Sequence, residues 1–510
     1  MKNIIKIATI IFCGVAFSGC EDFLSRNPIS AASPETFWKS KEDADLWLAG
    51  TYDALQTTLR TGVLDWGEAR SDNFVSNGVG TMQVKVTTNT LVAGDADLVV
   101  LTSWKNIYTT IARCNFGLKY TAKMIENNVD GNSETYKDYM GQYYGLRALM
   151  YFYATRVWGR VPIVGNDPIE SLSQNIYFER SPIDSCKKVI LNDLDSCISN
   201  ISPTNRKYYF SLGAAYALKT DVHMWFKEYD LAEQSIQKLE ALNYYKWVLN
   251  SAEWKKIFTE PDGSTETIFS LYFEQLQDNG GSGIAQRLGS SSNTSTFSIA
   301  PDLFQILVNR NRNGNIDTRW QLCFDTITYN STQSTLQDKC GKYYPWDDKL
   351  VRTGESRTGG FVYEPVNMCN AKIPIYRYAD IELLKAEIYY RRGEYQKALN
   401  IVNTARMRVG YYVLAKLADF TNPDSGVLDC IMEERRIEFL GEGKRWFDLI
   451  EVSDVSYDYF HKIMDPVMAA RSGSVSYTGE NEGRILFPIE STAFAANPLL
   501  RGDQNLPYSE

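Results

Sequence analysis

The sequence predicts a mostly α-helical fold of paired helices, interrupted by an irregular, loop-rich region that carries short strands. Three observations predict it. Apolar residues recur at helical spacing over long stretches on both sides of the middle of the chain. Two of those stretches repeat one pattern of small residues and tyrosines: Leu212-Gly213-Ala214-Ala215-Tyr216 before Tyr229-Asp230-Leu231-Ala232, and Leu384-Lys385-Ala386-Glu387-Ile388-Tyr389 before Gly393-Glu394-Tyr395-Gln396-Lys397-Ala398. Between them, residues 245–370 become rich in Gly, Ser, Asn and Thr.

The elements follow in order. Ser33-Pro34 opens a short helical turn, with proline at the first helical position. Ser40-Lys41-Glu42-Asp43 has the spacing of a helix cap, and Ala44, Leu48, Tyr52 and Leu55 line one face of a helix through Leu59. Residues 60–103 read as loop because Gly62, Gly67, Gly78, Gly80 and Gly94 interrupt them, with Val84 to Thr88 as a short strand. Helices are expected at 104–127, 134–158 and 182–201, and a helix pair at 208–242. Thr267 to Leu271 reads as a strand. Helix resumes at 378–392, 395–408 and 428–440, and Arg445 begins a last segment. The repeated stretches match the helix–turn–helix pattern of tetratricopeptide repeats, where small residues let paired helices approach and tyrosine fills the gap. Residues 104–158 and 146–200 are candidates for degenerate copies.

The first 19 residues have the composition of a lipoprotein signal. Lys2 and Lys6 precede a short apolar run to Phe17, and Ser18-Gly19 places small residues before Cys20. The run is shorter than the ~20 apolar residues of a membrane-spanning helix. Cys20 is therefore the expected lipidation site, residues 20–32 the tether and 33–510 one fold, with a helical part at 33–244, the loop-rich insertion at 245–375 and a C-terminal part at 376–510. Removing the signal takes the formal charge from −9 to −11. That balance argues against nucleic acid and against an anionic lipid surface as partners. Seven cysteines remain beyond Cys20, without a C-x-x-C. Cys186 and Cys197 share one predicted helix, about 16 Å apart along its axis, too far to bridge. No disulfide is expected.

The sequence is poor in catalytic chemistry. It holds two histidines, His223 and His461, and no H-E-x-x-H, G-x-S-x-G, Walker loop or helix-opening G-x-G-x-x-G. His223 reads as a packed or surface residue of a repeat helix. Glu433-Glu434-Arg435-Arg436 reads as an ion-pair network rather than an acid/base pair. Asn309 to Asp317 mimics the start of a calcium loop, but its ligands would be neutral and Trp320 stands where the bidentate acid belongs. It reads as an Asn-Gly turn. No metal, cofactor or enzymatic activity is expected.

Several blocks resemble the SusD/RagB family of outer-membrane nutrient-binding lipoproteins of Bacteroidetes. Asp22-Phe23-Leu24, Thr36-Phe37-Trp38 and Gly50-Thr51-Tyr52 look like its opening, and Arg70-Ser71-Asp72-Asn73 like its "SDN" element. Trp104 to Tyr108 with Asn115, Leu146 to Tyr153, and Trp158-Gly159-Arg160-Val161-Pro162 continue the likeness. The most specific block runs from Glu433 through Phe439 into Gly441-Glu442-Gly443-Lys444-Arg445-Trp446-Phe447-Asp448-Leu449. Phe487-Pro488-Ile489, Asn497-Pro498, Gln504-Asn505 and Tyr508 resemble the closing segment, although Glu490 replaces a usual proline and Ala493 a common acid.

The resemblance implies four tetratricopeptide-like units and a more irregular region packed on them. It implies a surface-exposed, lipid-anchored protein of the outer membrane that caps a SusC-like TonB-dependent transporter, with Glu21-Asp22 as the surface-export signal. It would capture oligosaccharide and make or break no bond. Sugar rings present C–H faces to aromatic rings and hydroxyls to polar side chains, so loop aromatics and their polar neighbours are the candidates. These are Trp66 with Asp72 and Asn73, then Tyr343, Tyr344 and Trp346 with Asp347, and more weakly Trp320. Asp72 and Asn73 read rather as turn-holding residues and Trp66 also as a packing residue, so the Tyr343–Asp347 cluster in the insertion is the favoured site. Peptide capture, suggested by the RagB branch, is the alternative of the same architecture. A surface glycoside hydrolase would need facing carboxylates about 5–9.5 Å apart, and a purely structural envelope protein would have no coherent pocket.

Overall fold

The computed structural model describes residues 37–510, apart from 79, 172, 275–280, 290, 292–294, 325–338, 352–357 and 366–367. Cys20, the tether and the Ser33-Pro34 turn lie outside the described residues.

The principal helices are α1 (Lys41–Gly67), α2 (Lys105–Glu126), α3 (Ser133–Trp158), α4 (Ile183–Asn200), α5 (Leu212–Trp225), α6 (Tyr229–Ala241), α7 (Ser251–Thr259), α8 (Pro301–Arg310), α9 (Tyr378–Arg391), α10 (Tyr395–Met407), α11 (Pro423–Glu438), α12 (Arg445–Val452) and α13 (Asp458–Ala470). They pack as neighbours in sequence: α2 on α3, α3 on α4, α5 on α6, and α9 on α10 and α11. This is the paired-helix architecture the repeats predict. No described helix is long and apolar enough to cross a membrane.

Helix α3 lies at the centre, and beyond Gly141 it is buried on nearly every face. Such a helix must satisfy its own charges internally. Arg147 does so through Asp193, at 2.6 and 2.8 Å, and Asn115, at 2.6 Å; Arg156 reaches Asp221 at 3.2 Å. Gly141 and Gly145, one turn apart, let the chain come close: a Cβ there would strike the Ile201 backbone and the Phe210 ring.

Four small antiparallel pairs complete the architecture. β1 (Phe74–Ser76) joins β5 (Phe297–Ile299), β2 (Val161–Pro162) joins β3 (Arg180–Ser181), β4 (Thr267–Leu271) joins β8 (Ile373–Arg377), and β6 (Trp346–Val351) joins β7 (Thr358–Phe361). The β4–β8 pair is buried throughout and leads straight into α9, so it roots the insertion in the helical body.

Two local expectations are corrected. The capped N-terminal helix runs to Gly67 instead of ending at Leu59. Gly62 and Gly67 are packing glycines, not turn glycines: the Trp66 ring covers Gly62, and a Cβ on Gly67 would collide with the Gly443 carbonyl. Val84 to Thr88 is not a strand; Thr81–Thr87 is a short helix burying Gln83, Val86 and Thr87. Burial of one face overrides the strand preference of two valines.

The Glu433–Arg436 run forms the expected ion-pair network. Glu434 meets Arg406 at 2.9 Å, Arg319 at 2.7 Å and Arg310 at 3.1 Å. Glu438 meets Arg377 at 2.7 Å, Arg319 at 2.9 Å and Arg408 at 2.5 Å, and accepts the Trp254 indole N–H at 2.8 Å. Burial alone would raise the pKa of Glu438, but Arg408, Arg377 and Arg319 outweigh it and hold the carboxyl well below the usual range. In the former calcium-loop segment, Asn313 and Gly314 take positive φ at a turn, and Arg310 and Arg319 occupy the Asp317 carboxylate.

Candidate functional site

The sequence candidates divide into buried and surface groups. Trp66 is 3% exposed; its indole donates to the Leu101 carbonyl at 3.0 Å and its ring packs edge-on against Trp158. It is a core residue with no face left for a ligand. Asp72 accepts from Arg445 at 2.8 and 2.9 Å and pairs with Arg436 at 3.1 Å. Its burial raises the pKa, but the two guanidiniums outweigh that and leave the carboxylate firmly ionised. Asn73 donates to Glu68 at 2.7 Å and accepts from Arg436 at 3.0 Å. Both hold the turn against α11 and α12. Trp320 is buried between Phe304 and Phe324, with ring centroids 4.8 and 5.3 Å away.

The Tyr343–Asp347 cluster is split. Tyr343 and Tyr344 are buried, their hydroxyls donating to the Gly441 and Gly289 carbonyls at 2.9 Å. Trp346 is half-buried on β6, edge-on to Phe361, and its indole donates to Asp348 at 2.8 Å. Asp347 is exposed and accepts from the Lys349 backbone N–H at 2.8 Å.

A cleft of about 1040 Å³ opens beside this cluster. One side is the 246–265 segment with α7, whose N-terminus is capped by Asn250 accepting from the Glu253 N–H. The other is Tyr343-Tyr344-Pro345 with Val362, Glu364 and Asn370 to Lys372. Tyr343 and Tyr344 thus form part of an inner wall, while Trp346 and Asp347 do not line it. The rim holds acids, amides, hydroxyls and ammonium groups: Glu253, Asp262, Ser264, Glu364, Asn370 and Lys372.

Tyr208 lines this cleft and also a second one of about 560 Å³, bounded by Tyr52, Asp53, Gln56, Tyr209 and Tyr272. The aromatic geometry there is fixed. Tyr208 and Tyr272 meet edge to face at 5.0 Å, and Tyr52 and Tyr209 at 4.9 Å. Tyr52 is locked by donating to Gln142 and accepting the Phe210 N–H, both at 2.7 Å. Tyr208 donates to Asp262; burial and that carboxylate raise its pKa, so it stays a neutral donor. Lys207 holds the 261–264 turn by donating to the Pro261, Asp262 and Ser264 carbonyls. The Lys372 ammonium sits 4.3 Å over the Tyr272 ring. Tyr209 remains 48% exposed.

The two clefts therefore meet at Tyr208, each with flat tyrosine rings beside fixed hydrogen-bonding groups. This arrangement suits an amphipathic, hydroxyl-rich ligand. The sequence reading missed it by taking Tyr208 as the start of a helix. A signal was present: Ser211 caps α5, its hydroxyl accepting from the Ala214 N–H at 3.2 Å, which leaves Lys207 to Phe210 outside the helix. Among the described residues, no group of three or more His, Cys, Asp or Glu side chains could hold a metal ion. His223 is packed against Glu228, 2.8 Å away.

The closing segment also depends on these interlocks. Glu490, where the resemblance expects proline, donates its backbone N–H to the Thr102 carbonyl at 3.2 Å, a bond proline could not make. Its carboxylate accepts from the Thr492 N–H at 3.1 Å and from the Thr492 hydroxyl.

Comparison with known proteins agrees with the fold. The SusD family matches residues 310–508, and a family described as starch-binding associating with outer membrane matches residues 22–224. SusD-like protein P38 of Formosa agariphila is 28% identical, with 99% of each chain covered. SusD-like protein P25 of the same organism is 23% identical over 91% of this chain and 93% of its own. Among solved structures, B. fragilis NanU superposes with a TM-score of 0.70 at 22% identity, covering 95% of this chain and all of its own. A laminarin-binding SusD-like protein superposes at 0.68 and 19% identity, covering 92% and 100%. The two family matches at either end of the chain and the relatives that match it over nearly its whole length place the chain in the SusD/RagB family, whose members are characteristically non-catalytic binding proteins.

Proposed function

We propose that this protein is a cell-surface lipoprotein that captures oligosaccharide and delivers it to a SusC-like TonB-dependent transporter in the outer membrane. The observation that carries the reading is the set of tyrosines that line two clefts meeting at Tyr208. Tyr208, Tyr209 and Tyr272 offer ring faces and edges for sugar C–H groups, with Gln56 beside them in the smaller cleft and Asp262 and Glu364 in the larger one for hydroxyls. The laminarin-binding relative of the same fold supports a glycan over a peptide. The Ser18-Gly19-Cys20 sequence supports the lipid anchor, and the outer-membrane description of the N-terminal match supports the location.

The test is binding of purified protein to an oligosaccharide array beside a peptide panel, followed by calorimetric titration of the best ligand. Oligosaccharide binding without product release, weakened by Tyr208→Ala, is the expected result. Peptide binding alone would refute the glycan reading. Hydrolysis on prolonged incubation would refute the binding-only role. Co-purification with a barrel transporter after mild detergent extraction tests the partner.

A further inference from the structure

Seven cysteines lie among the described residues, all as buried thiols. Five face groups other than cysteine. Cys186 lies near the Val161 and Ser181 carbonyls, Cys369 near Ser282 and Tyr344, and Cys430 near Arg406. Cys114 has Arg147 and Asp193 as its charged neighbours, and Cys197 has Asp193, Asp138 and Arg206. Cys323 and Cys340 differ: each has the other's thiol as its side-chain hydrogen-bond partner.

The backbone keeps them together. The Gly341 N–H donates to the Cys323 carbonyl at 2.6 Å, which by standard bond lengths leaves the Cα atoms of 323 and 340 within roughly 7 Å. The Cys340 N–H is fixed separately on the Leu288 carbonyl at 2.7 Å. Lys255 then staples both segments. Its ammonium donates to the Leu322 carbonyl at 2.9 Å, beside Cys323, and to the Gly341 and Lys342 carbonyls at 2.7 and 2.9 Å, beside Cys340. Gly341 is needed for the close approach, because a Cβ there would strike the Phe361 ring. The two cysteines are thus held as neighbours by both segments, with Cα atoms within about the span that a disulfide bridges.

We propose that Cys323 and Cys340 are joined by a disulfide in the mature protein, closing the chain at 323–340 just before the Tyr343–Pro345 wall of the large cleft. This proposal departs from the expectation of no disulfide, and it rests on the envelope location proposed above, where thiols meet oxidants. The step is thiol–disulfide exchange. One thiolate attacks a disulfide-bearing oxidant and releases a thiol. The second thiolate then attacks the mixed disulfide and releases another. The protein loses two protons and two electrons, and the oxidant leaves as two thiols. Both cysteines are at most 3% exposed, so the exchange takes place during folding and the finished bond is shielded from reductant.

The test is peptide mapping of full-length protein extracted from membranes, alkylated in denaturant without reductant and digested with trypsin. The expected product is the peptide Trp320–Lys339 linked to Cys340–Lys342, separating only on reduction, with five alkylated thiols in place of seven beyond Cys20. Recovery of both peptides individually alkylated from the membrane fraction would overturn the pairing. Absence of the protein from the membrane fraction would instead refute the location. In that case, purified full-length protein unfolded in denaturant and refolded with oxidised glutathione decides the pairing by the same map, linked peptides supporting it and alkylated ones refuting it. As a second readout, reductant is expected to lower the unfolding temperature of the wild type by about 5 °C and to leave Cys323→Ala/Cys340→Ala unchanged. An equal drop in both would count against the bond.

Discussion

The interlock around Glu68–Asn73 and α11–α12 and the cleft around Tyr208 use the same residue types to opposite ends. In the interlock the central charges of α11 and α12 are buried and paired: Arg435 reaches Asp448 at 2.7 Å and Asp380 at 2.9 Å, and Arg445 reaches Asp72 at 2.8 Å. In the cleft, aromatic and polar groups are oriented by neighbours yet keep a face toward open volume, as Tyr209 does at 48% exposure. The difference teaches that the residues most diagnostic of the family are scaffold, whereas the proposed ligand surface is built from ordinary loop tyrosines. Buried charges tolerate substitution poorly because removing one leaves its partner unpaired in a low dielectric. Surface rings tolerate change structurally and are free to vary with the ligand.

This contrast can be broken or sharpened by four measurements. The largest effect is expected for Glu438→Gln, which weakens the compensation of Arg319, Arg377 and Arg408; urea unfolding should show a loss of about 3–5 kcal/mol. Next is the pH response of Glu68. Burial raises its pKa to about 7 even though the Gly441 and Gly443 N–H groups and Asn73 favour the carboxylate. The folded protein therefore binds a proton that the unfolded chain, with a pKa near 4.5, has released. This contribution is fully present below pH 4.5 and is lost as pH rises through 7. Stability should fall by about 1–3 kcal/mol across that window relative to Glu68→Gln, in which this dependence is absent. Unfolding of both proteins at pH 5 and pH 7.5 measures it.

A smaller effect is expected in the cleft. Tyr208→Ala should weaken oligosaccharide binding about tenfold, roughly 1.4 kcal/mol, with the unfolding transition little changed; a loss of folding with intact affinity would move Tyr208 to the scaffold class. Smallest is Trp346→Ala, whose ring lies outside both cleft linings. Its affinity should stay within about twofold, and a tenfold loss by calorimetry would extend the ligand surface onto the β6–β7 hairpin.

Much of the fold was legible because helical spacing is local. Caps such as Ser40 with Asp43 and the Gly393 turn fixed boundaries to within a few residues. Gly62 and Gly67 misled because a glycine needed for close packing looks, in one dimension, like a glycine needed for a turn. The site was less legible. An aromatic in a glycine-rich stretch reads as exposed, yet Trp66 and Trp320 are buried by partners up to 92 residues away in sequence. The Cys323–Cys340 approach was hidden likewise, since Lys255, which draws the two segments together, is almost 70 residues upstream of Cys323.

The interlock has a kinetic consequence. Arg70, Asp72 and Asn73 find their partners in Arg436, Arg445 and Ile485, more than 360 positions later. Pairings of such high contact order form late and slowly. The N-terminal half therefore cannot complete its core until nearly the whole polypeptide has been made. A nascent chain that cannot lock early stays threadable, and at the proposed outer-membrane location, which requires export before folding, that delay is useful in itself.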